Sequence, residues 1–135
     1  MRKKTSAFLL TTLMLCITTQ AFAFGYQQRI TLHVASSDPR LLKYACFNTT
    51  DIFDASHCGD GASNKYQYGP KHVDLSFARF NPGDTMQGSC QNFKLHTPHR
   101  KGRLEIYLRI EKRDYLHSFV LTGCRADWVS YDRRK

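Results

Sequence analysis

The chain has 135 residues, 41% of them apolar, with 20 Lys and Arg against 11 Asp and Glu and six histidines. After removal of the leader described below, its length supports one domain with its own core and is too short for two. The positive balance favours phosphates, acidic glycans, lipopolysaccharide or anionic lipid as partners.

Residues 1–23 read as a secretory signal peptide. Arg2, Lys3 and Lys4 form a basic start, an apolar run covers 7–17, and Ala21-Phe22-Ala23 supplies a small-x-small cleavage site. The run is shorter than the roughly 20 residues of a membrane span. Leu15, where a small residue normally precedes a lipidated cysteine, argues against lipid on Cys16. Residues 24–135 then form a single secreted or periplasmic β domain. Three of the 20 Lys and Arg lie in the leader, so this domain carries 17 against 11 acidic residues, a net +6.

Residues 29–34 alternate, with Ile30, Leu32 and Val34 on one face and Arg29, Thr31 and His33 on the other. That is the period of a half-buried strand. Ser36-Ser37-Asp38-Pro39 turns the chain, and a second strand is expected over 41–47. Residues 48–64, rich in Asn, Asp, Gly and Ser, read as a long loop. A short edge strand over 65–68 closes at Gly69-Pro70, and Val73, Leu75 and Phe77 mark another. Phe80 has the opposite parity, which places it on an outer face with Tyr66 and Tyr68. Asn81-Pro82-Gly83-Asp84 is the strongest turn. Residues 91–96 alternate again, and 97–102 turn.

In the last hairpin Leu104, Ile106, Leu108 and Ile110 share one face; Glu105, Tyr107, Arg109 and Glu111 share the other. A two-residue turn at Arg113-Asp114 pairs Ile110 with His117, Leu108 with Phe119 and Ile106 with Leu121. A one-residue slip would break this apolar match. The tail 125–135 is polar and basic, with Trp128 packing back onto the body. Roughly six or seven short strands at this turn spacing predict an all-β fold, a small antiparallel sandwich or barrel.

Exported cysteines in even number read as two disulfides, and four cysteines allow three connectivities, of which Cys46–Cys58 with Cys90–Cys124 is favoured. Cys46–Cys58 closes the long loop just after a strand, where little burial holds it. Cys90–Cys124 joins the start of one late strand to the end of the last. Parity leaves Cys124 outside unless Gly123 forms a bulge that turns it back. No Cys-x-x-Cys occurs, so neither a redox pair nor a thiolate zinc site is expected.

His96-Thr97-Pro98-His99 lacks a third nearby ligand, and Asp51, Asp54, Asp60 and Asn64 match no calcium-loop spacing. No metal or other cofactor is implied. The segment continues His99-Arg100-Lys101-Gly102-Arg103, a dense basic turn whose arginines can fork onto phosphate or carboxylate. No Gly-x-Ser-x-Gly stretch exists. A ribonuclease needs a general acid, a base and a cation for phosphate. In the hairpin above, Glu105 and Arg109 point outward and His117 inward, so they do not converge.

The leading expectation is an exported, non-enzymatic binding module. It engages a polyanion (acidic glycan, lipopolysaccharide or nucleic acid) or a secreted protein through Lys94, His99, Arg100, Lys101, Arg103 and Arg109. A small nuclease using His96 or His99 with His117 is the alternative. A third is an inhibitor of a secreted hydrolase that presents the loop 48–64, pre-ordered by Cys46–Cys58.

Overall fold

A computed structural model describes residues 27–49, 51–67, 69–70, 72–113 and 117–131; the expected signal peptide, Tyr68 and the turn residue Asp114 lie outside them. Nine strands are present among the described residues: β1 Gln28–Ala35, β2 Ala45–Thr49, β3 His57–Cys58, β4 Ser63–Tyr66, β5 His72–Phe77, β6 Thr85–Gln87, β7 Lys94–His96, β8 Gly102–Arg113 and β9 Ser118–Ser130. They build a five-stranded sheet in the order β4-β1-β8-β9-β6 and a four-stranded sheet in the order β3-β2-β5-β7. The all-β expectation holds, with more strands than the alternation alone shows because β3 and β6 are only two and three residues long, while the alternating run 91–96 shortens to β7. No helix among the described residues is long and apolar enough to cross a membrane.

The alternating residues of both sheets meet in one core. Ile30, Leu32, Leu104, Ile106, Ile110 and Leu121 come from the larger sheet; Phe47, Val73 and Leu75 come from the smaller. Phe47, Phe119 and Ile106 are at most 1% exposed. The sheets are not purely antiparallel: β1 runs parallel to β8 and β6 parallel to β9. A parallel pair needs a long crossover, and between β1 and β8 the whole four-stranded sheet serves as one.

The strand expected over 41–47 is corrected. Pro39–Tyr44 is a 3₁₀ helix, started by Pro39 and capped by Asp38, whose carboxylate accepts from the Arg40 amide. The strand begins at Ala45. The long loop contains β3 and the start of β4. Neither Phe80 nor Tyr66 is on an outer face: Tyr66 packs against the core from β4, and Phe80 lies beyond the end of β5, where strand parity stops, and packs edge-on against Phe119 at 4.5 Å.

The last hairpin has a different register from the one expected. Ile110 faces Leu121, Lys112 faces Phe119 and Arg113 faces Ser118. On the turn side of Gly123 this differs from the expected pairing by four residues, an even number. Every side chain stays on its face, so apolar matching cannot separate the two registers. The hairpin loop is longer and ends at His117, which takes φ 54°. Gly123, at φ 66°, sits where the register shifts opposite Tyr107 and Arg109. The resulting bulge reverses parity, so Cys124, Ala126 and Trp128 pack against the core. The tail is therefore strand as far as Ser130. Trp128 lies against Gly102, where no larger side chain would fit.

Both disulfides form as the spacing indicated. Cys46–Cys58 joins directly opposed residues of β2 and β3, and Cys90–Cys124 ties the turn after β6 to β9 just past the bulge.

Candidate functional site

Strand direction collects several loops at one end of the sandwich. In the larger sheet Gln28, Tyr66, Gly102 and Ser130 lie at this end, because Gln28 is opposite both Tyr66 and Gly102, and Gly102 is opposite Ser130. The segment 97–101 is fastened here: Gln28 Nε2 donates to the carbonyls of Pro98 and Arg100, and Gly102 N donates to Gln27 O at 3.1 Å. Tyr66 donates its hydroxyl to Asp54 Oδ2 at 3.0 Å, which brings the loop between β2 and β3 to the same end.

Basic side chains gather there. In register, Arg29 faces Lys65 on one side and Arg103 on the other. Directly opposed residues share a sheet face, so the three cations form a row across β4, β1 and β8. At ordinary strand spacing the row spans about 10 Å. Like charges directly opposite one another oppose folding. Only Arg103 has a counter-charge, Glu105 Oε1 at 3.4 Å, while Arg29 and Lys65 make no ion pair with a described residue. Arg100 and Lys101, both exposed, adjoin the row from the turn. A cleft of about 680 Å³ lies beside it, bordered by Gln27, Arg29, Lys65, Tyr66, Gln67 and Tyr131.

The adjacent loop is built on Asp54. Its Oδ2 accepts from Thr49 N at 3.0 Å, Thr49 Oγ1 at 2.9 Å and the Tyr66 hydroxyl, and its Oδ1 lies 3.0 Å from His57 Nε2. Burial alone would raise this carboxyl; the bonds from His57, Thr49 and Tyr66 outweigh it and hold it below its ordinary value. Burial in turn pushes the Tyr66 hydroxyl up, with the Asp54 charge adding to the effect. The chain then reverses over residues 51–54: Asp54 N donates to Asp51 O at 3.0 Å, and Phe53 N donates to Asp51 Oδ1 at 2.9 Å.

The structure gathers some of the residues selected from the sequence and disperses others. His99, Arg100, Lys101 and Arg103 lie together at the basic end. Lys94 is on the smaller sheet, opposite Asp74. Arg109 lies about 20 Å along β8 from Arg103 at the normal strand rise and pairs with Glu111 at 3.0 Å. His96 stacks edge-on with His72 at 4.3 Å. His117 sits at the far end of β9, about 40 Å of strand away from the basic end, with Nδ1 3.0 Å from Asp84 Oδ1. His96 and His99 thus share no site with His117. Among the described residues no three His, Cys, Asp or Glu are placed to share a metal ion.

Sequence reasoning missed Arg29 and Lys65. Their outward placement was legible for Arg29, but their meeting with Arg103 depends on a parallel pairing across most of the chain. It also missed a cluster further along the same face. His33 contacts Glu105 at 2.7 Å and stacks on Tyr107 at 4.6 Å, while the Arg125 guanidinium covers the other side of that ring at 4.1 Å. These side chains satisfy one another and leave the ring faces occupied. No protein-family model, curated protein or solved structure matches this chain at a significant level.

Proposed function

We propose that the chain is an exported, non-enzymatic binding module whose basic end engages an anionic partner. The observation that supports this reading is the Lys65–Arg29–Arg103 row. Three opposed cations with one carboxylate among them are unfavourable in the free protein and become favourable when an anion lies across them. The turn cations Arg100 and Lys101 extend the site, and the fixed backbone of the sheet keeps the ordering cost of binding low. The two disulfides suit an oxidising compartment, in keeping with export.

Heparin and single-stranded RNA serve as test polyanions. Binding weakens steeply with salt, because each neutralised charge releases a counterion. The double substitution Arg29→Ser, Lys65→Ser lowers affinity about tenfold and flattens the salt slope by about 1.5, whereas Arg109→Ser leaves both within about twofold. Retention on heparin that is equal at low and high salt would overturn the reading. Unchanged RNA after prolonged incubation separates binding from the nuclease alternative.

A further inference from the structure

Ile52 and Phe53 occupy the two central positions of the turn at 51–54, and they are 87% and 90% exposed. No other large apolar side chain among the described residues is as exposed; Tyr131 follows at 50%. The turn does not need them. Its bonds run through backbone atoms and the Asp51 and Asp54 carboxylates, so polar residues would serve as well. Neither packs on the core. The turn is nevertheless rigidly held, by Asp54 on Thr49 and Tyr66 and by the Cys46–Cys58 bridge at its base. An ordered turn that keeps two apolar side chains in water is pre-organised for an apolar contact outside the molecule.

The contact's chemistry follows from what lies at the same end. The Asp54–Tyr66 bond fastens this turn to the end of β4, the strand whose Lys65 begins the cation row that continues through Arg29 to Arg103. Asp51, the exposed carboxylate of the turn, is engaged by the Phe53 amide. Five cations, Arg29, Lys65, Arg100, Lys101 and Arg103, therefore share an end with one protruding apolar pair. A bilayer interface presents the complement: a layer of phosphate oxygens over acyl chains. We infer that the anionic partner is a bilayer surface rich in acidic phospholipid. The cations take headgroup phosphates, and Ile52 and Phe53 enter the headgroup–acyl boundary. Each signal alone is weak, and stable adsorption takes two together. The inference rests on the anion-binding reading above and adds the identity of the anion.

The test uses the oxidised protein with vesicles of phosphatidylcholine, with and without phosphatidylglycerol, and with heparin as a soluble polyanion. The protein co-sediments with phosphatidylglycerol vesicles and not with pure phosphatidylcholine. The double substitution Ile52→Ser, Phe53→Ser weakens vesicle partitioning about tenfold or more while leaving the heparin Kd unchanged. Arg29→Ser, Lys65→Ser weakens both. A tryptophan at position 53 (Phe53→Trp) gains emission that brominated acyl chains quench; the wild-type signal from Trp128 is subtracted. Heparin binding without vesicle binding overturns this inference and spares the anion-binding reading. Equal vesicle binding by wild type and the Ile52→Ser, Phe53→Ser variant, or no quenching at position 53, likewise overturns it. Absence of binding to both heparin and vesicles sinks both readings. Near-ultraviolet circular dichroism of each variant establishes that it is folded.

Discussion

Asp54 and Asp84 occupy opposite ends of the sandwich, and each gathers a histidine and at least one backbone amide around a shielded carboxylate. Asp84 is 1% exposed, accepts from the amides of Phe80 and Asn81 at 2.9 and 2.8 Å, and contacts His117. Burial alone would raise its carboxyl; the Asn81 and Phe80 amides and His117 outweigh that and leave it below its ordinary value. Around Asp84 the neighbouring aromatics turn inward: Phe80 lies on Phe119, and Phe119 on Phe77. Beside Asp54 two apolar side chains turn outward instead, and Ile52 and Phe53 stand in water. One device thus serves packing at the hairpin end and presentation at the basic end. The difference lies in what the ordered turn is given to hold, not in how it is ordered.

The sharpest way to break that comparison is to truncate a phenylalanine at each end. Phe119→Ala empties a fully buried site and should cost about 3–5 kcal/mol. Phe53→Ala should change stability by less than about 0.5 kcal/mol. Urea denaturation of both variants decides it; a large loss at Phe53 would mean that the turn packs on the body after all.

The disulfides give the next largest effect. Cys90–Cys124 encloses a longer segment than Cys46–Cys58, with sequence separations of 34 and 12. The unfolded-chain entropy argument assigns about 4 kcal/mol to the first and about 3 kcal/mol to the second. Paired Cys→Ser variants, unfolded in urea, should follow that order. Losing Cys46–Cys58 should additionally raise amide exchange at Ile52 and Phe53 without raising it at Phe80. Equal loosening at both ends would erase the distinction between them.

The smallest effect is on pH dependence. Both carboxyls sit below their ordinary value in the folded protein. Such a group stabilises the fold above its unfolded pKa, and that contribution is lost as pH falls through the depressed folded pKa. The urea midpoint should therefore drop as pH is lowered from about 4.5 towards 2. Asp54→Asn and Asp84→Asn together should flatten this drop. An equally steep profile in the double variant would show that neither carboxylate is held as described.

Several local features are legible in the amino-acid pattern alone. The inward faces of β1 and β8 follow from strict alternation, and the turn at 81–84 follows from Pro82 and Gly83, where Asp84 N donates to Asn81 O at 3.2 Å. The bulge at Gly123 is inferable because only a parity reversal lets Cys124 turn inward. Other features mislead for identifiable reasons. The apolar run at 41–47 resembles a strand because a short 3₁₀ helix also buries every third or fourth residue, here Leu41. The hairpin register escapes because displacements by an even number of residues are equivalent to a hydrophobic pattern.

The sequence by itself determined which sides of β1 and β8 are buried, that the cysteines are even in number after the leader, and that the net charge is positive. Those properties arise from side-chain period and composition, which act over a few residues. Only the tertiary structure decided that Arg29 stands between Lys65 and Arg103, and that Tyr66 reaches Asp54 to hold an apolar turn at the same end of the sandwich. Pairing between distant strands is chosen by how well the two sheets bury one core together. That choice carries surface residues into contact irrespective of their own chemistry.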